Sequence, residues 1–245
     1  MKINVLLSPL NAEEMYFAGK TAVVIDVLRA TTVISTALEN GAKEIIPVGT
    51  IEFAMKISGD AFGGHRLLGG ERNTKKIEGF NLGNSPLEYS KEIVDGKSII
   101  LYTTNGSKAI VKAKFSENLF TCSFYNLSSV AEQMTAMNID FDILCSGDNG
   151  RFSLEDTICA GRLISEIIKL KEDIELTDSS RASVSLNKSF GKSISKMLAE
   201  TEHGKRLIEN GFKDDITHAA KLSKSNIVPF YKNGVIKKYE IEQVQ

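Results

Sequence analysis

The chain has no surplus of either charge. Its 30 basic and 31 acidic side chains give a formal net charge of -1. There is no long basic run, so general affinity for nucleic acid is excluded. No apolar stretch approaches the roughly 20 residues that a membrane span needs. The opening MKINVLLSPL is too short and too soon polar for a secretory signal. Cysteine is scarce: Cys122, Cys145 and Cys159 are odd in number and irregular in spacing. That pattern is expected of free thiols in a reducing, cytoplasmic setting, not of a disulfide framework. The histidines, His65, His203 and His218, lack an HExxH spacing. Zinc is therefore not expected, and any metal should be a hard cation held by oxygen. Phosphate-handling signatures are missing as well. There is neither a GxxxxGK[ST] loop nor a GxGxxG between strand and helix. Asp26 is followed by Val27 and Leu28, so the second aspartate of aspartyl-phosphate chemistry is absent.

What is present is a core-forming chain, 42% hydrophobic over 245 residues, enough for a single domain of substantial size. Short β-branched runs alternate with helical periodicity. Strands are expected at Ile3–Leu7, Ala22–Ile25, Ile45–Val48, Ser98–Tyr102, Leu119–Cys122 and Phe141–Cys145. Helices are expected after Asp26, over Ile51–Ile57, Leu87–Ile93, Leu127–Met137 and Leu154–Leu170, and from near Lys108. Helical pieces over Ser180–Glu209 should break near Gly191 and Gly204, before a last helix over Ile216–Leu222. Ile227–Tyr231 and Val235–Ile241 flank Lys232-Asn233-Gly234, a hairpin signal. The fold class is layered α/β/α, with a mixed, mostly parallel sheet and an antiparallel hairpin, placed at the sheet edge, near the C-terminus. The C-terminal third, about 173–245, is expected to be a cap or a homo-oligomer surface.

Chemistry concentrates where strands run into helices. Asp26 ends one strand; Arg29, Thr31 and Thr32 open the next helix. A helix start offers unpaired N–H groups to an anion, arginine adds a bidentate donor, and aspartate can hold a divalent cation. Thr103-Thr104-Asn105-Gly106-Ser107 repeats this layout. Ser146–Arg151 is a compact turn, and Ser153 with Asp156 forms an acidic capping box that also holds Glu155. In a mostly parallel sheet the three junctions should open on one edge. Gly59–Gly83 interrupts the rhythm with paired glycines around Glu71 and Arg72, as a ligand-serving loop or lid would. Asp214 and Asp215 are expected to act mainly as helix-cap acids. Cys145 and Arg151, spaced C-x5-R, permit a cysteine-dependent phosphatase as an alternative.

Four stretches in order, VVIDVLRATTVI (Val23–Ile34), GER with IEGFNLGNSPLEY (Gly69–Tyr89), TTNGSKA (Thr103–Ala109) and NGRFSLEDTICAG (Asn149–Gly161), resemble the 2-phosphosulfolactate phosphatase family of coenzyme M biosynthesis. The resemblance continues more loosely through DDITHAAKLSKSNIVPF. It implies Mg2+-dependent hydrolysis of (R)-2-phospho-3-sulfolactate, a small polyanion, or of a related 2-phospho-hydroxyacid. On that basis Asp26, Glu71, Glu155 and Asp156 are the expected magnesium ligands. Asp26, Arg29, Glu155 and Asp156 are the expected catalytic residues. Arg29, Thr31, Arg72, Thr104, Asn105, Gly106 and Arg151 are expected to bind substrate. A non-catalytic module that binds a phosphometabolite is the remaining alternative.

Overall fold

The computed structural model of the protein describes residues 1–10, 12–59 and 66–240. The described strands form one mixed sheet of eleven, with helices on both faces. One parallel block contains β1 (Lys2–Leu6), β2 (Thr21–Ile25), β7 (Asn118–Cys122), β8 (Phe141–Cys145) and the short β9 (Glu175–Leu176). The second contains β3 (Glu44–Pro47), β4 (Arg66–Arg72) and β6 (Ser98–Tyr102), with β5 (Lys75–Lys76) antiparallel at its edge.

The strand residues alternate between two buried faces, as a period of two requires. Val23, Ile25, Phe120, Cys122, Ile143 and Cys145 pack against α5 (Leu127–Met137) and α6 (Leu154–Leu170). Ala22, Val24, Leu119 and Leu144 pack against α1 (Ala30–Glu39) and α4 (Gly106–Lys112). Because both faces are covered, these strands read as continuous apolar runs. In the second block, Ile100 and Tyr102 instead meet Ala54 of α2 (Ile51–Ile57). A one-turn helix, α3 (Lys91–Val94), follows a 3-10 turn at Pro86–Glu88, where one helix over Leu87–Ile93 was expected.

The hairpin of β10 (Pro229–Lys232) and β11 (Val235–Lys238) does not lie at the sheet edge. It sits in the middle, with β10 on β7 and β11 on β3. Asn-Gly specifies the turn, but the neighbours are chosen by burial. Ile236 is fully buried, and Phe230 and Tyr239 pack on Phe120 at 4.9 and 5.5 Å between ring centroids. The expected strand end, Ile241, lies outside the described residues.

Three antiparallel pairings in succession set the two parallel blocks in opposite directions, so the junctions do not share one parallel edge. They meet for another reason. Five steps separate β2 from β6, and a twist of about 20–25° per step turns the second block through more than a right angle. Ile45, Ile99 and Leu101 of that block thereby reach the same α1–α4 layer as Val24 and Leu144.

Much of the expected Gly59–Gly83 loop is sheet. Its residues 60–65, including Gly63, Gly64 and His65, lie outside the described residues. β4 is an internal strand whose glycines permit close approach. A side chain on Gly70, at φ +138°, would collide with the Tyr102 carbonyl, and one on Gly69 with the Tyr89 hydroxyl. After α7 (Asp178–Phe190), the break between α8 (Ile194–Glu200) and α9 (Glu202–Glu209) falls at Thr201, not Gly204. Thr201 closes α8, and its hydroxyl caps α9 by accepting from Gly204 N–H at 3.0 Å. α10 (Lys213–Ala219) then leads to the hairpin. No helix of the described residues is long and apolar enough to cross a membrane.

Candidate active site

The ends of β2 and β8 are in register, Ile25 against Cys145, so Asp26 and Ser146 leave the sheet side by side. Thr31 builds the turn that follows. Its hydroxyl donates to the Asp26 carbonyl at 2.7 Å and accepts from Asp26 N–H at 3.0 Å. Thr31 is fully buried and serves the loop, not an open surface. Asp26 Oδ1 accepts from Ala30 N–H at 3.1 Å. Its Oδ2 faces the start of α4, where a side chain on Gly106 would collide with it. Burial pushes the Asp26 carboxyl up to about 6, and the charge of Glu71 adds to this. The positive field of His203 and donors from Ala30 and Ser146 act in the opposite direction.

Asp156 joins the β2 and β8 loops. Its Oδ1 accepts from Val27 N–H at 2.9 Å, and its Oδ2 accepts from the Ser146 hydroxyl at 3.0 Å and Gly147 N–H at 3.1 Å. Burial, then the charges of Asp26 and Glu155, hold its carboxyl well above the usual range. Glu155, also buried, faces His203, with Oε1 3.6 Å from Nδ1.

Glu71 enters from the second block. Its Oε1 accepts from Thr104 N–H at 2.7 Å, and its Oε2 from Thr74 N–H at 2.8 Å. Asn73 and Thr74, at φ +54° and +68°, form the left-handed pair of a tight hairpin turn between β4 and β5. Arg29 holds that turn from behind. Its Nη2 donates to the Thr74 carbonyl at 3.0 Å, and its Nη1 to Asp215 Oδ2 at 2.7 Å. Asp215 Oδ1 accepts from the Ser85 hydroxyl at 2.6 Å, and the guanidinium lies 4.3 Å over the Phe212 ring. Asp215 is therefore more than a helix-cap acid: it is the buried counter-ion of Arg29.

These elements surround a cleft of about 290 Å³. Of the expected residues, Glu71, Thr104 and Asn105 line it. Asp26 and Glu155 stand behind, tied electrostatically or by contact to His203. Arg72 is not in the cleft. Strand alternation turns it outward into an adjoining groove. Arg151 is exposed on the Asp148–Arg151 turn and lines neither the cleft nor the grooves beside it. The basic residues of the cleft are instead His203 and Arg206 of α9. Arg206 Nη2 donates to Asp148 Oδ2 at 2.8 Å, and Asn149 N–H donates to Asn105 Oδ1 at 2.9 Å. His203 and Arg206 were missed because they lie on a helix with no motif. The only signal is their i, i+3 spacing, which puts both on one helix face.

Cys145 is fully buried within the apolar cluster, and burial with the charge of Asp156 pushes its thiol well up. The thiolate that a cysteine phosphatase requires is disfavoured, and Arg151 is turned to solvent. The C-x5-R alternative is not supported. All three cysteines are free.

Among the described residues, no three acidic, histidine or cysteine side chains converge on one metal position. Asp26, Glu71, Glu155 and Asp156 thus form no four-carboxylate cage. Magnesium does not require one: it takes one or two carboxylates, with water and phosphate oxygens completing the shell. Asp26 and Glu71 suit that demand. Both are hard oxygen donors, and Gly106 keeps side-chain atoms away from Asp26 Oδ2.

The family model described as 2-phosphosulpholactate phosphatase matches residues 7–234. A probable 2-phosphosulfolactate phosphatase of Clostridium beijerinckii is 41% identical over 240 residues, covering 96% of this chain and 99% of the relative. One of Thermotoga maritima is 42% identical over 233 residues, covering 95% and 96%. One of Caldanaerobacter subterraneus is 44% identical over 218 residues, covering 89% and 90%.

Proposed function

The chain belongs to the 2-phosphosulpholactate phosphatase family, and from that premise we propose that it hydrolyses 2-phosphosulfolactate to 3-sulfolactate and phosphate. The observation that carries this reading is the composition of the cleft. Acids, cations and neutral donors from three strand ends and α9 meet around a space sized for a small phosphoester. A binder of anions alone would gain nothing from Asp26, Glu71 and Glu155 beside its ligand.

Magnesium, when bound at Asp26 and Glu71, supplies positive charge against the phosphoryl oxygens and acidifies water. The protein's own groups do the rest. Asp26, with a carboxyl near 6, is mainly ionised at neutral pH and suited to that cation. Arg206, steadied by Asp148, puts positive charge on the wall of the cleft. Asn105 and Thr104 add neutral groups that fix phosphoryl oxygens in place. Glu155 Oε1 stands 3.6 Å from His203 Nδ1, and His203 in its protonated form would give the Nε2 proton to the departing alkoxide. Asp156 is spent on the fold: its three hydrogen bonds fix the loops that carry Asp26 and Ser146.

The test is phosphate release from 2-phosphosulfolactate and 2-phospholactate, with magnesium and then with EDTA. Release that stops in EDTA and returns with magnesium is expected, and Asp26→Ala should remove it while leaving the fold intact. Binding without release in every condition would leave a phosphometabolite-binding module as the better reading. Release that persists in EDTA would overturn the magnesium assignment.

A further inference from the structure

We propose that the groove beside the cleft, between Arg72 and Lys108, is a second anion subsite that takes the sulfonate of the substrate. This rests on the hydrolase reading and deepens it. The groove has a volume of about 390 Å³ and shares Asn73 and Thr104 with the cleft, so the two spaces adjoin. A phosphoester that also bears a carboxylate and a sulfonate needs such adjoining spaces, because its anionic groups diverge from a three-carbon core.

Charge accounting points to the same place. Within the cleft, Arg206 is matched by Asp148 and His203 by Glu155. Arg29 is buried against Asp215. Each of these basic groups already faces an acid. Arg72 and Lys108 line the groove, both exposed, and among the described residues neither has a carboxylate within ion-pair reach. The Lys108 ammonium lies 5.6 Å from the Tyr102 ring centroid. Glu52 is the one acid on the groove wall, which leaves the subsite net positive. The placement is built into the chain. Alternation along β4 sends Glu71 to the cleft and Arg72 to the groove, and the first turn of α4 carries Lys108 to the opposite wall. On the wall common to both spaces, the Thr104 hydroxyl is buried without a hydrogen-bond partner.

The test measures binding, so it does not depend on turnover. Calorimetric titrations of 3-sulfolactate and of lactate into the magnesium-loaded protein give a ratio, the dissociation constant of lactate divided by that of 3-sulfolactate. Lys108→Met and Arg72→Met should each lower that ratio about tenfold, the low end for a charge-assisted hydrogen bond at an exposed site. Raising the salt concentration should lower it in the unaltered protein. Malate, with a carboxylate in place of the sulfonate, should fall between the two ligands. Because both side chains are exposed, unchanged thermal unfolding is expected and checks that the variants fold. The proposal is overturned if the unaltered protein binds lactate as well as 3-sulfolactate, or if neither substitution moves the ratio. Absence of phosphate release, with the ratio and its loss as stated, would sink the hydrolase reading alone.

Discussion

Removing the Asp215 carboxylate should damage the protein far more than a helix-cap acid would. Arg29 and Asp215 are both buried, with side-chain exposures of 2% each, and their contact is 2.7 Å. Deleting one partner of such a pair leaves an uncompensated buried charge, at a cost of about 3–5 kcal/mol. In Asp215→Ala, Arg29 keeps the Thr74 carbonyl and the Phe212 ring, which favours the lower part of that range. For a chain of this size, about 2–4 °C per kcal/mol gives a fall in Tm of roughly 6–20 °C. Total stability of about 5–15 kcal/mol leaves most of the variant folded at room temperature. The assay is urea and thermal unfolding followed by circular dichroism. The control is the double variant Arg29→Met with Asp215→Leu, which replaces both charges by apolar groups and should recover most of the loss. A single-variant cost below about 1 kcal/mol, typical of an exposed pair, would refute the reasoning. So would a double variant no more stable than either single one.

Asp26→Asn should stabilise the metal-free protein while abolishing phosphate release. A carboxyl raised from 3.8 to about 6 binds its proton more tightly folded than unfolded, so its favourable contribution is complete below 3.8 and lost as pH rises through about 6. At pH 7.5 the gain from removing the charge has an upper bound of roughly 3 kcal/mol, and an unchanged or lower Tm would contradict it. His218 is held below 6.5, first by burial and then by the charge of Lys221, against the opposing fields of Asp215 and Glu39. The unfolded chain therefore takes up this proton first, so stability should fall as pH drops below about 6.5; a His218→Gln variant with the same slope of Tm against pH would exclude this origin. Gly106→Ala puts a methyl group against Asp26 Oδ2 and Ala30, which should cost about 1–3 kcal/mol and lower turnover. Retention of full turnover would show that the approach of α4 to Asp26 is dispensable.

Elements specified by local periodicity were legible in the chain. β6 and β8 coincide with the apolar runs Ser98–Tyr102 and Phe141–Cys145, and α5 and α6 with the periodic stretches that follow β7 and β8. The pairing partners were not legible. Lys232-Asn233-Gly234 marks a hairpin, but the choice between an edge and the centre depends on Phe120, Ile45 and Ile236, which are far apart in sequence. β4 was obscured because its glycines serve close packing on Tyr89 and Tyr102, and the same residues ordinarily signal loops.

Reading β4 as a loop also hid how its two charged residues are divided between the cleft and the groove. Read as a loop, Glu71 and Arg72 look like neighbours facing one ligand. Read as a strand, they must point to opposite faces, as they do. The acids were otherwise found because each stands at a strand end or in a first helical turn, where chain direction alone places it. The cations were not, because no local pattern says which arginine turns inward. Arg29 is buried by a partner 186 residues away, and Arg151, although nearer in sequence to the acids, turns to solvent. A physical constraint was nonetheless available. Asp26, Glu71, Glu155 and Asp156 cannot all stay ionised in one buried region without positive charge from elsewhere. Once Arg72 and Arg151 point away, that charge must come from an element not yet assigned to the site or from a bound cation. α9 meets part of the demand with His203 beside Glu155, while Arg206 is already matched by Asp148. Among the described residues Asp26 and Glu71 have no cationic side chain in ion-pair contact, which supports the proposal that these two would hold magnesium.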